Sequence, residues 1–238
     1  MQRSLASSAT ANKKLAVIII GGSTTGLSLG LLLKRQGHDV TILEQCTWNA
    51  RDGTAAGINL ITQVKQLFDE HDHLRDQLPL GKVNKILKVV NGLTLKVRRH
   101  SDHGAIMTTW EATYYRLRAN FDGFSSTYCP ASEIVAEDAV GGTAKYLTSQ
   151  LVSGVQPGDN DSLLVQVHGL GDGNMVYYRG DIVIAADGAN SIMHRQLAMN
   201  VETRADGYLV WRGTVPVKDL SSECRAVFSE GTVTCTYP

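Results

Sequence analysis

The sequence predicts an α/β fold with a parallel sheet, together with the start of a second, β-rich domain. Two apolar runs rich in β-branched residues, 15–20 and 181–186, have the composition of strands buried on both faces, as in a parallel sheet. Each run ends at a glycine-containing turn and is followed by a helical pattern. Between them, alternating runs around residues 83–100 predict an insertion of paired strands.

The composition argues against several classes of partner. The chain has 238 residues, which is enough for the core of a large domain. Its 23 lysines and arginines balance 23 aspartates and glutamates, so a formal net charge of +0 gives no overall field that would attract nucleic acid or an anionic membrane. No apolar run approaches the roughly 18 residues of a membrane span.

The cysteines bear on the cellular compartment. Cys46, Cys129, Cys224 and Cys235 have no C-x-x-C spacing, which favours a reducing compartment and disfavours a zinc site or a disulfide framework. We therefore expect a cytoplasmic protein without a metal. Residues 1–14 contain basic residues and no acid, and they predict a disordered leader, with a weak organelle-targeting signal as the alternative.

The turn after the first strand has the composition of a pyrophosphate-binding loop. Gly21 and Gly22 end the strand and allow the backbone to approach an anion closely. A helix that begins near Thr24 and ends at Gly37 would direct its free N–H groups and the positive end of its dipole at that anion. The residues expected to bind here are Gly21, Gly22, Ser23, Thr25 and Gly26.

One position departs from the G-x-G-x-x-G pattern of dinucleotide-binding loops. Its glycines would fall at positions 21, 23 and 26, but the second position is Ser23. A glycine pattern alone is weak, and an ordinary turn between a strand and a helix is the alternative. Because the strand, the helix and a terminal acid are all present in order, the sequence favours a dinucleotide site.

That acid is Glu44, which follows the second predicted strand, 39–43. A carboxylate at this position can accept hydrogen bonds from both hydroxyls of an adenosine ribose. Glu44 follows Gly26 by 18 residues, close to the separation of about 20 expected for this role. Its charge also disfavours a bound 2′-phosphate, because the two negative groups would repel each other.

The middle of the chain is predicted to alternate helices and strands, with Asn91-Gly92 as its clearest hairpin signal. The predicted elements are a strand over 58–61, a helix over 62–77, strands over 83–90 and 93–97, a helix from Thr108 or Thr109 to Ala119, and strands over 146–155, 162–168 and 175–178.

The second parallel-type strand, 181–186, ends in Asp187-Gly188. This places a carboxylate and a flexible backbone at the carboxyl edge of the sheet, where open α/β sheets bind ligands. Considered alone, a simple Asp-Gly turn is the more common structure. A helix over 191–197 and a strand over 208–216 complete the prediction.

Several motifs occur in the order found in one enzyme family. They are IIIGGSTTGLSLGLLLKRQGHDVTILEQ, RDGTAAGINL, TTWEATYYRLRANFDG, GDIVIAADGANSIMHRQL and YLVWRGTVP. The chain resembles FAD-dependent aromatic-ring monooxygenases of the p-hydroxybenzoate hydroxylase class, and most closely their dihydroxypyridine-hydroxylase-like branch. The resemblance covers nearly all of residues 15–216.

The resemblance implies a Rossmann-like FAD-binding domain over 15–207 and the start of an incomplete substrate domain over 208–238. It also implies FAD as cofactor, NAD(P)H as co-substrate and a small aromatic substrate. Because the flavin carries the chemistry, no catalytic side chain is nominated. The implied cofactor contacts are the loop residues Gly21, Ser23 and Gly26, the ribose acid Glu44, Gly57 near the flavin nucleotide, Arg118 in a helix beside the cofactor, and Asp187 with Gly188. Arg51, in the RDG motif, is included with them.

Two departures from the family pattern leave alternatives open. The family usually has arginine where this chain has His194, and here Arg195 follows it. The sequence also lacks a Gly-Asp-Ala block after a strand. Such a block is the late motif that resembles the family's third FAD contact. The chain is therefore expected to be truncated at its carboxyl end. A catalytically silent nucleotide-binding fragment is the first alternative to an active monooxygenase, and a nicotinamide-only dehydrogenase is a weaker one.

Overall fold

The computed structural model describes residues 13–47, 57–74, 79–91, 93–94, 96–130, 141–170, 173–197, 207, 215–228 and 232–236. The strands are β1 Ala16–Ile20, β2 Asp39–Leu43, β3 Gly57–Leu60, β4 Lys82–Asn91, β5 Val97–Thr109, β6 Ala144–Leu147, β7 Gln150–Pro157, β8 Leu163–Gly169, β9 Met175–Gly180, β10 Ile182–Ala185 and β11 Thr232–Thr236. The helices are α1 Thr24–Arg35, α2 Thr62–His71, α3 Trp110–Asp122, α4 Ile192–Leu197 and α5 Ser222–Phe228.

A parallel sheet forms the centre of the fold, as the sequence predicts, and its strand order is β10-β1-β2-β6. β1 lies between β2 and β10, and its residues 17–20 are at most 5% exposed. Because all strands of this sheet run in the same direction, the turns that follow β1 and β10 and the residue that follows β2 meet at its carboxyl edge.

Helix α1 packs closely against this sheet because two of its residues lack side chains. A Cβ at Gly26 would lie 2.0 Å from the Gly21 carbonyl oxygen, and one at Gly30 would lie 3.0 Å from Ile42 Cδ1. Gly37, with a φ of +93°, follows the end of the helix as expected.

Two further sheets complete the fold. β7, β8 and β9 form an antiparallel sheet, and β11, β4, β5 and β3 form a mixed one in which β11 is parallel to β4. The inserted strands predicted around 83–100 therefore share a sheet with a strand from the last residues of the chain. The architecture is a mixed α/β fold with one parallel sheet and additional antiparallel strands, in agreement with the predicted fold class.

The strand predicted over 146–155 is wrong as a single element. The structure divides it into β6, in the parallel sheet, and β7, in the antiparallel sheet. The division occurs at Ser149, whose φ of 58° is left-handed and whose N–H donates to the Cys46 carbonyl oxygen at 3.2 Å. The three consecutive polar residues Thr148, Ser149 and Gln150 interrupt the alternation, but no Gly, Pro, Asn or Asp marks a turn there, so the sequence contains no strong signal for the break.

The hairpin forms, but with a longer loop than Asn91-Gly92 predicts. Val90 pairs with Val97, and the Asn91 side-chain oxygen accepts from the N–H groups of Leu93 and Thr94 at 3.0 and 2.9 Å. This side-chain capping replaces a two-residue turn, so the second strand begins at Val97 instead of Leu93. Gly92 lies outside the described residues.

Helix α2 ends at His71, six residues before the predicted end. Asp72 adopts an extended conformation and its buried carboxylate accepts from Arg116 at 2.6 Å and from Asn120 at 2.9 Å. A tertiary ion pair with α3 therefore ends the helix, which a periodic pattern cannot reveal. Residues 1–12, Arg51 and residues 208–214 of the strand predicted over 208–216 lie outside the described residues.

Two searches of the described residues gave no candidates. None of the helices assigned above has the length and apolar character needed to cross a membrane. Within the same ranges, no group of three or more His, Cys, Asp or Glu side chains could hold a metal ion.

Candidate functional site

A cavity of about 390 Å³ opens at the carboxyl edge of the parallel sheet. Its walls come from the turn after β1, the end of β2, the start of β7 and the segment that joins β10 to α4. The polar and glycine residues that line it are Gly21, Ser23, Glu44, Gln45, Gln150, Asp187, Gly188, Asn190 and Arg195. Five of them, Gly21, Ser23, Glu44, Asp187 and Gly188, were predicted from the sequence as cofactor contacts.

Gly21 occupies a position that only glycine can fill without strain. Its φ is +100°, and an added Cβ would lie 2.4 Å from the Ala186 carbonyl oxygen. Its N–H donates to the Leu43 carbonyl oxygen at 2.8 Å. The first glycine of the turn is thus packed between the segments that follow β10 and β2.

Glu44 lies at the end of β2, with 4% of its surface exposed. Its two carboxylate oxygens accept from the N–H groups of Gly22 and Cys46, at 2.8 and 2.9 Å. Glu44 also lines the cavity, where a carboxylate oxygen is an acceptor suited to the hydroxyls of a ribose. Glu44 therefore both lines the cavity and holds the glycine turn, and the second role was missed in the sequence analysis.

The amino end of α1 faces this cavity without a side-chain cap. Ser23 is the N-cap residue, has an extended conformation and makes no capping hydrogen bond with its side chain. The first turn of α1 contains no acid. The N–H groups of this turn and the helix dipole are therefore suited to an anionic ligand. Of the other predicted loop residues, Gly22 and Gly26 are buried and Thr25 is exposed; none of the three lines the cavity.

Asp187 and Gly188 form the opposite wall. The Asp187 carboxylate accepts from the N–H groups of Ile192 and Met193, at 2.9 and 3.5 Å, and so caps α4. Gly188 has a φ of +79°, and a Cβ there would meet nothing within 4 Å. The backbone of Gly188 can therefore be approached closely by a ligand.

The positive charge on this side of the cavity comes from Arg195. This residue lines the cavity, whereas the preceding His194 is exposed and does not. The family usually has arginine at position 194. In this chain the arginine stands one position later, at 195, and lines the cavity. The motif comparison named Arg195, but no spacing rule assigned it to the site.

Arg118 is buried in α3 and does not line the cavity. Its side chain is 7% exposed and forms an ion pair with Asp122 at 2.8 Å. Burial opposes the charge on Arg118, but the hydrogen bonds and charge of Asp122 outweigh it and raise the pKa of the guanidinium. The guanidinium carbon lies 3.7 Å from the centroid of the Tyr146 ring, and Tyr146 donates to the Gly22 carbonyl oxygen at 2.7 Å. Tyr146 was missed by the sequence analysis.

Gly57 lies at the start of β3 and is exposed. It pairs with Thr109, whose hydroxyl caps α3 by accepting from the Ala112 N–H at 3.1 Å. It does not line the cavity, and a Cβ there would meet nothing within 4 Å. The predicted role of Gly57 near a flavin nucleotide therefore stays a prediction.

The residues present fit the adenosine diphosphate part of a dinucleotide. An uncapped helix start faces an anion position, and the carboxylate of Glu44 stands at the end of the neighbouring strand. The glycine turn that joins them has no room for a Cβ at Gly21, so the backbone forms the floor of the site. Backbone N–H groups at a helix start and a carboxylate are the groups that a pyrophosphate and a ribose require.

Comparisons with known proteins identify the family of the chain. The family described as "FAD binding domain" matches residues 14–230. The chain is 24% identical to 2,6-dihydroxypyridine 3-monooxygenase from Paenarthrobacter nicotinovorans over 214 residues, which is 90% of this chain and 46% of that protein. The chain thus spans less than half the length of this curated relative.

Solved structures share the fold. The structure of 2,6-dihydroxypyridine-3-hydroxylase from Arthrobacter nicotinovorans matches with a TM-score of 0.55 at 21% identity, over 78% of this chain and 40% of that one. The flavin-dependent monooxygenase PieE, solved with FAD and substrate, matches with a TM-score of 0.55 at 17% identity, over 78% and 32%. The chain therefore belongs to the FAD-binding domain family and resembles its FAD-dependent monooxygenases.

Proposed function

We propose that this chain binds FAD and takes part in the NAD(P)H-dependent hydroxylation of an aromatic or heteroaromatic small molecule. The observation that carries the proposal is the cavity at the carboxyl edge, where the uncapped start of α1 and the carboxylate of Glu44 face the same space. The similarity to a dihydroxypyridine monooxygenase supports the substrate class.

The chain's own residues would hold FAD by its adenosine diphosphate end. The pyrophosphate would lie at the amino end of α1, where the dipole contributes roughly 0.3–1 kcal/mol and the backbone N–H groups contribute through hydrogen bonds. The ribose hydroxyls would donate to Glu44, and Gly188 and Arg195 would contact the cofactor from the opposite wall. When bound, FAD supplies the transfer of reducing equivalents from NAD(P)H to oxygen.

We also propose a division into domains and a cellular compartment. Residues 15–207, with the inserted strands around 83–100, would form the FAD- and NAD(P)H-binding domain, and residues 208–238, whose strand β11 pairs with β4, would be the start of a substrate domain. The scattered cysteines are consistent with the cytoplasm.

A second candidate function is nucleotide binding without hydroxylation. It is favoured by one observation: this sequence contains no Gly-Asp-Ala block, the motif that resembles the family's third FAD contact. In this case FAD would bind, but added substrate would not accelerate the oxidation of NAD(P)H.

The test has two parts that separate the candidates. Purified protein is incubated with FAD, desalted and examined for yellow flavin absorbance, with circular dichroism confirming that it is folded. Oxidation of NADH and of NADPH is then followed with and without dihydroxypyridines and phenols. Bound flavin with substrate-stimulated oxidation is expected. Bound flavin without stimulation indicates the second candidate. Folded protein without flavin contradicts both, and tight NAD binding in that case would indicate a dehydrogenase.

A further inference from the structure

A line of buried side chains connects Arg118 to the glycine turn. Arg118 Nη1 donates to the Tyr114 hydroxyl oxygen at 3.2 Å, and the two tyrosine hydroxyls, of Tyr114 and Tyr146, lie 3.1 Å apart. The Tyr146 hydroxyl donates to the Gly22 carbonyl oxygen at 2.7 Å. Asp122 holds the other side of Arg118 by accepting from Nε and Nη2. The line thus runs from a buried ion pair to the backbone of the turn.

The direction of every proton in this line is determined by the groups themselves. The Gly22 carbonyl has no proton, so the single hydroxyl proton of Tyr146 is used in that bond. The bond between the tyrosines must then use the proton of Tyr114, whose oxygen accepts from Arg118. Because a guanidinium can only donate, the order cannot be reversed while all three bonds are kept. Bonds aligned in this way strengthen one another.

The line fixes the orientation of one peptide group in the turn. In a trans peptide the Ser23 N–H points opposite to the Gly22 carbonyl, and this carbonyl points towards Tyr146. The Gly22 N–H is held separately by Glu44 at 2.8 Å. Both peptide groups of Gly22 are therefore held, and Ser23, whose N–H points away from Tyr146, lines the cavity.

The surroundings keep Tyr146 neutral and Arg118 charged. Burial raises the pKa of the Tyr146 phenol, with further contributions from Tyr114 and Glu44, so the phenol keeps the proton that it donates. The Arg118 guanidinium stacks on the Tyr146 ring at 3.7 Å and lies 4.4 Å from the Phe124 ring centroid. These contacts hold the ring and the charge in one arrangement.

We propose that Tyr146 is a positioning residue for the cofactor pyrophosphate, and that Arg118 acts on the cofactor through Tyr114 and Tyr146 without touching it. The line orders the Gly22–Ser23 peptide so that its N–H faces the anion before the ligand arrives. This inference rests on the proposed FAD site, and it assigns to Tyr146 a role that the motif comparison did not contain.

The test removes single hydroxyl groups and keeps the rings. Tyr146→Phe, Tyr114→Phe and the double variant are compared with the control Tyr177→Phe. The control removes an exposed hydroxyl that donates to the Met175 sulfur at 3.3 Å. Dissociation constants are measured for FAD and for ADP, which carries the pyrophosphate without the flavin. Amide exchange of residues 21–25 is measured in the ligand-free proteins.

Tyr146→Phe is expected to raise the dissociation constants for FAD and for ADP by similar factors, about 2- to 12-fold, which corresponds to the loss of one hydrogen bond. Tyr114→Phe is expected to raise both by about twofold, and to have no further effect when Tyr146 is already Phe, because the line is then broken. Exchange at residues 21–25 should be faster in the Tyr146 variant and unchanged in the Tyr177 variant.

The proposal is overturned if Tyr146→Phe behaves like Tyr177→Phe in affinity and exchange, or if the effects of the two single variants simply add. If Tyr146→Phe does not fold, Tyr114→Phe alone tests the proposal, because this variant keeps the bond between Tyr146 and Gly22. An affinity of Tyr114→Phe equal to that of the wild type would then contradict a role for Arg118 and Tyr114 in cofactor binding. Wild-type protein that binds neither FAD nor ADP contradicts the proposed function instead, and the exchange of residues 21–25 still decides whether Tyr146 orders the turn.

Discussion

The turns after β1 and after β10 lie side by side at the carboxyl edge of one sheet, yet their helices begin in opposite ways. The turn after β1 leads to a helix whose N-cap, Ser23, makes no side-chain capping bond. The turn after β10 leads to α4, whose first N–H groups donate to Asp187 of the same turn. One helix start is thus open to an external anion, and the other is occupied by its own carboxylate.

The two turns also differ in what holds them. The first is held by distant parts of the chain, because Glu44 accepts from the Gly22 N–H and Tyr146 donates to the Gly22 carbonyl. The second is held locally, since Asp187 bonds to residues five and six positions later. A glycine turn that must bind a ligand is therefore held from outside, which leaves its own helix start free, whereas the neighbouring turn serves as a wall.

The largest expected effect is that of Gly21→Ala. The added Cβ would meet the Ala186 carbonyl at 2.4 Å in a backbone with a φ of +100°, and we expect the free energy of unfolding to fall by about 3 kcal/mol or more. Gly37→Ala is the matched control, since its φ is +93° and nothing lies within 4 Å. It should cost only about 1–2 kcal/mol. Urea unfolding of both variants measures the difference, and equal losses would contradict the close packing of the two turns.

Glu44→Gln is expected to separate the turns in ligand binding. Glutamine offers one oxygen for two N–H donors, Gly22 and Cys46, so the dissociation constant for FAD should rise by about tenfold or more. Asp187→Asn is the matched control, because one oxygen of Asp187 accepts both helix N–H groups and an amide oxygen can replace it. Equilibrium dialysis with FAD compares them. A larger loss for Asp187→Asn would reverse the roles of the two walls.

Removing the cap residues should sharpen the same contrast in stability. Asp187→Ala removes the acceptor for two N–H groups of α4 and should lower the free energy of unfolding by about 1 kcal/mol. Ser23→Ala removes a side chain that makes no capping bond, so a change within about 0.5 kcal/mol is expected. Denaturant midpoints test this pair, and a larger loss at Ser23 would show that α1 is capped after all.

The smallest effect is expected at the amino edge of the sheet, away from both turns. Lys14, at 2.8 Å, and Thr143 hold the pKa of Asp39 at about 2, below its usual value of about 3.9. The carboxylate therefore stabilises the fold above pH 4, and this stabilisation is lost as the pH falls through 2. Because the side chain is 39% exposed, we expect less than about 1 kcal/mol.

Asp39→Asn should remove the contribution of this carboxylate to the free energy of unfolding, so stability should depend less on pH. The affinity for FAD should not change. Denaturant midpoints of the wild type and the variant at pH 7 and at pH 2 measure it. If the denaturant midpoints of the wild type and of Asp39→Asn differ by the same amount at pH 7 and at pH 2, the ion pair between Asp39 and Lys14 does not contribute to stability.

The parts of the site that lie close together in sequence could be predicted from it. β1, α1 and β2 have nearly the expected bounds. Each of these elements is marked by its own apolar residues, and Gly21 and Gly37 mark the ends of β1 and α1. Glu44 was found because its distance along the chain from the turn is characteristic of the fold. These features depend on local geometry, which a pattern records directly.

The contacts that hold the turn could not be predicted. Tyr146 reaches Gly22 across 124 residues, and its strand was merged with β7 because nothing marks Ser149 as a left-handed residue. The early end of α2 likewise depends on the Asp72–Arg116 pair between two helices. Such contacts are determined by how the elements pack in three dimensions, and periodicity carries no information about them.

The most direct test of the FAD site is amide exchange of the wild-type chain with and without saturating FAD. Residues 21–26 should become strongly protected and residues 187–190 less so, while the hairpin loop around Asn91 should exchange as before. Absence of protection at residues 21–26 in protein that holds flavin would contradict the assignment of the turn after β1 as the cofactor site.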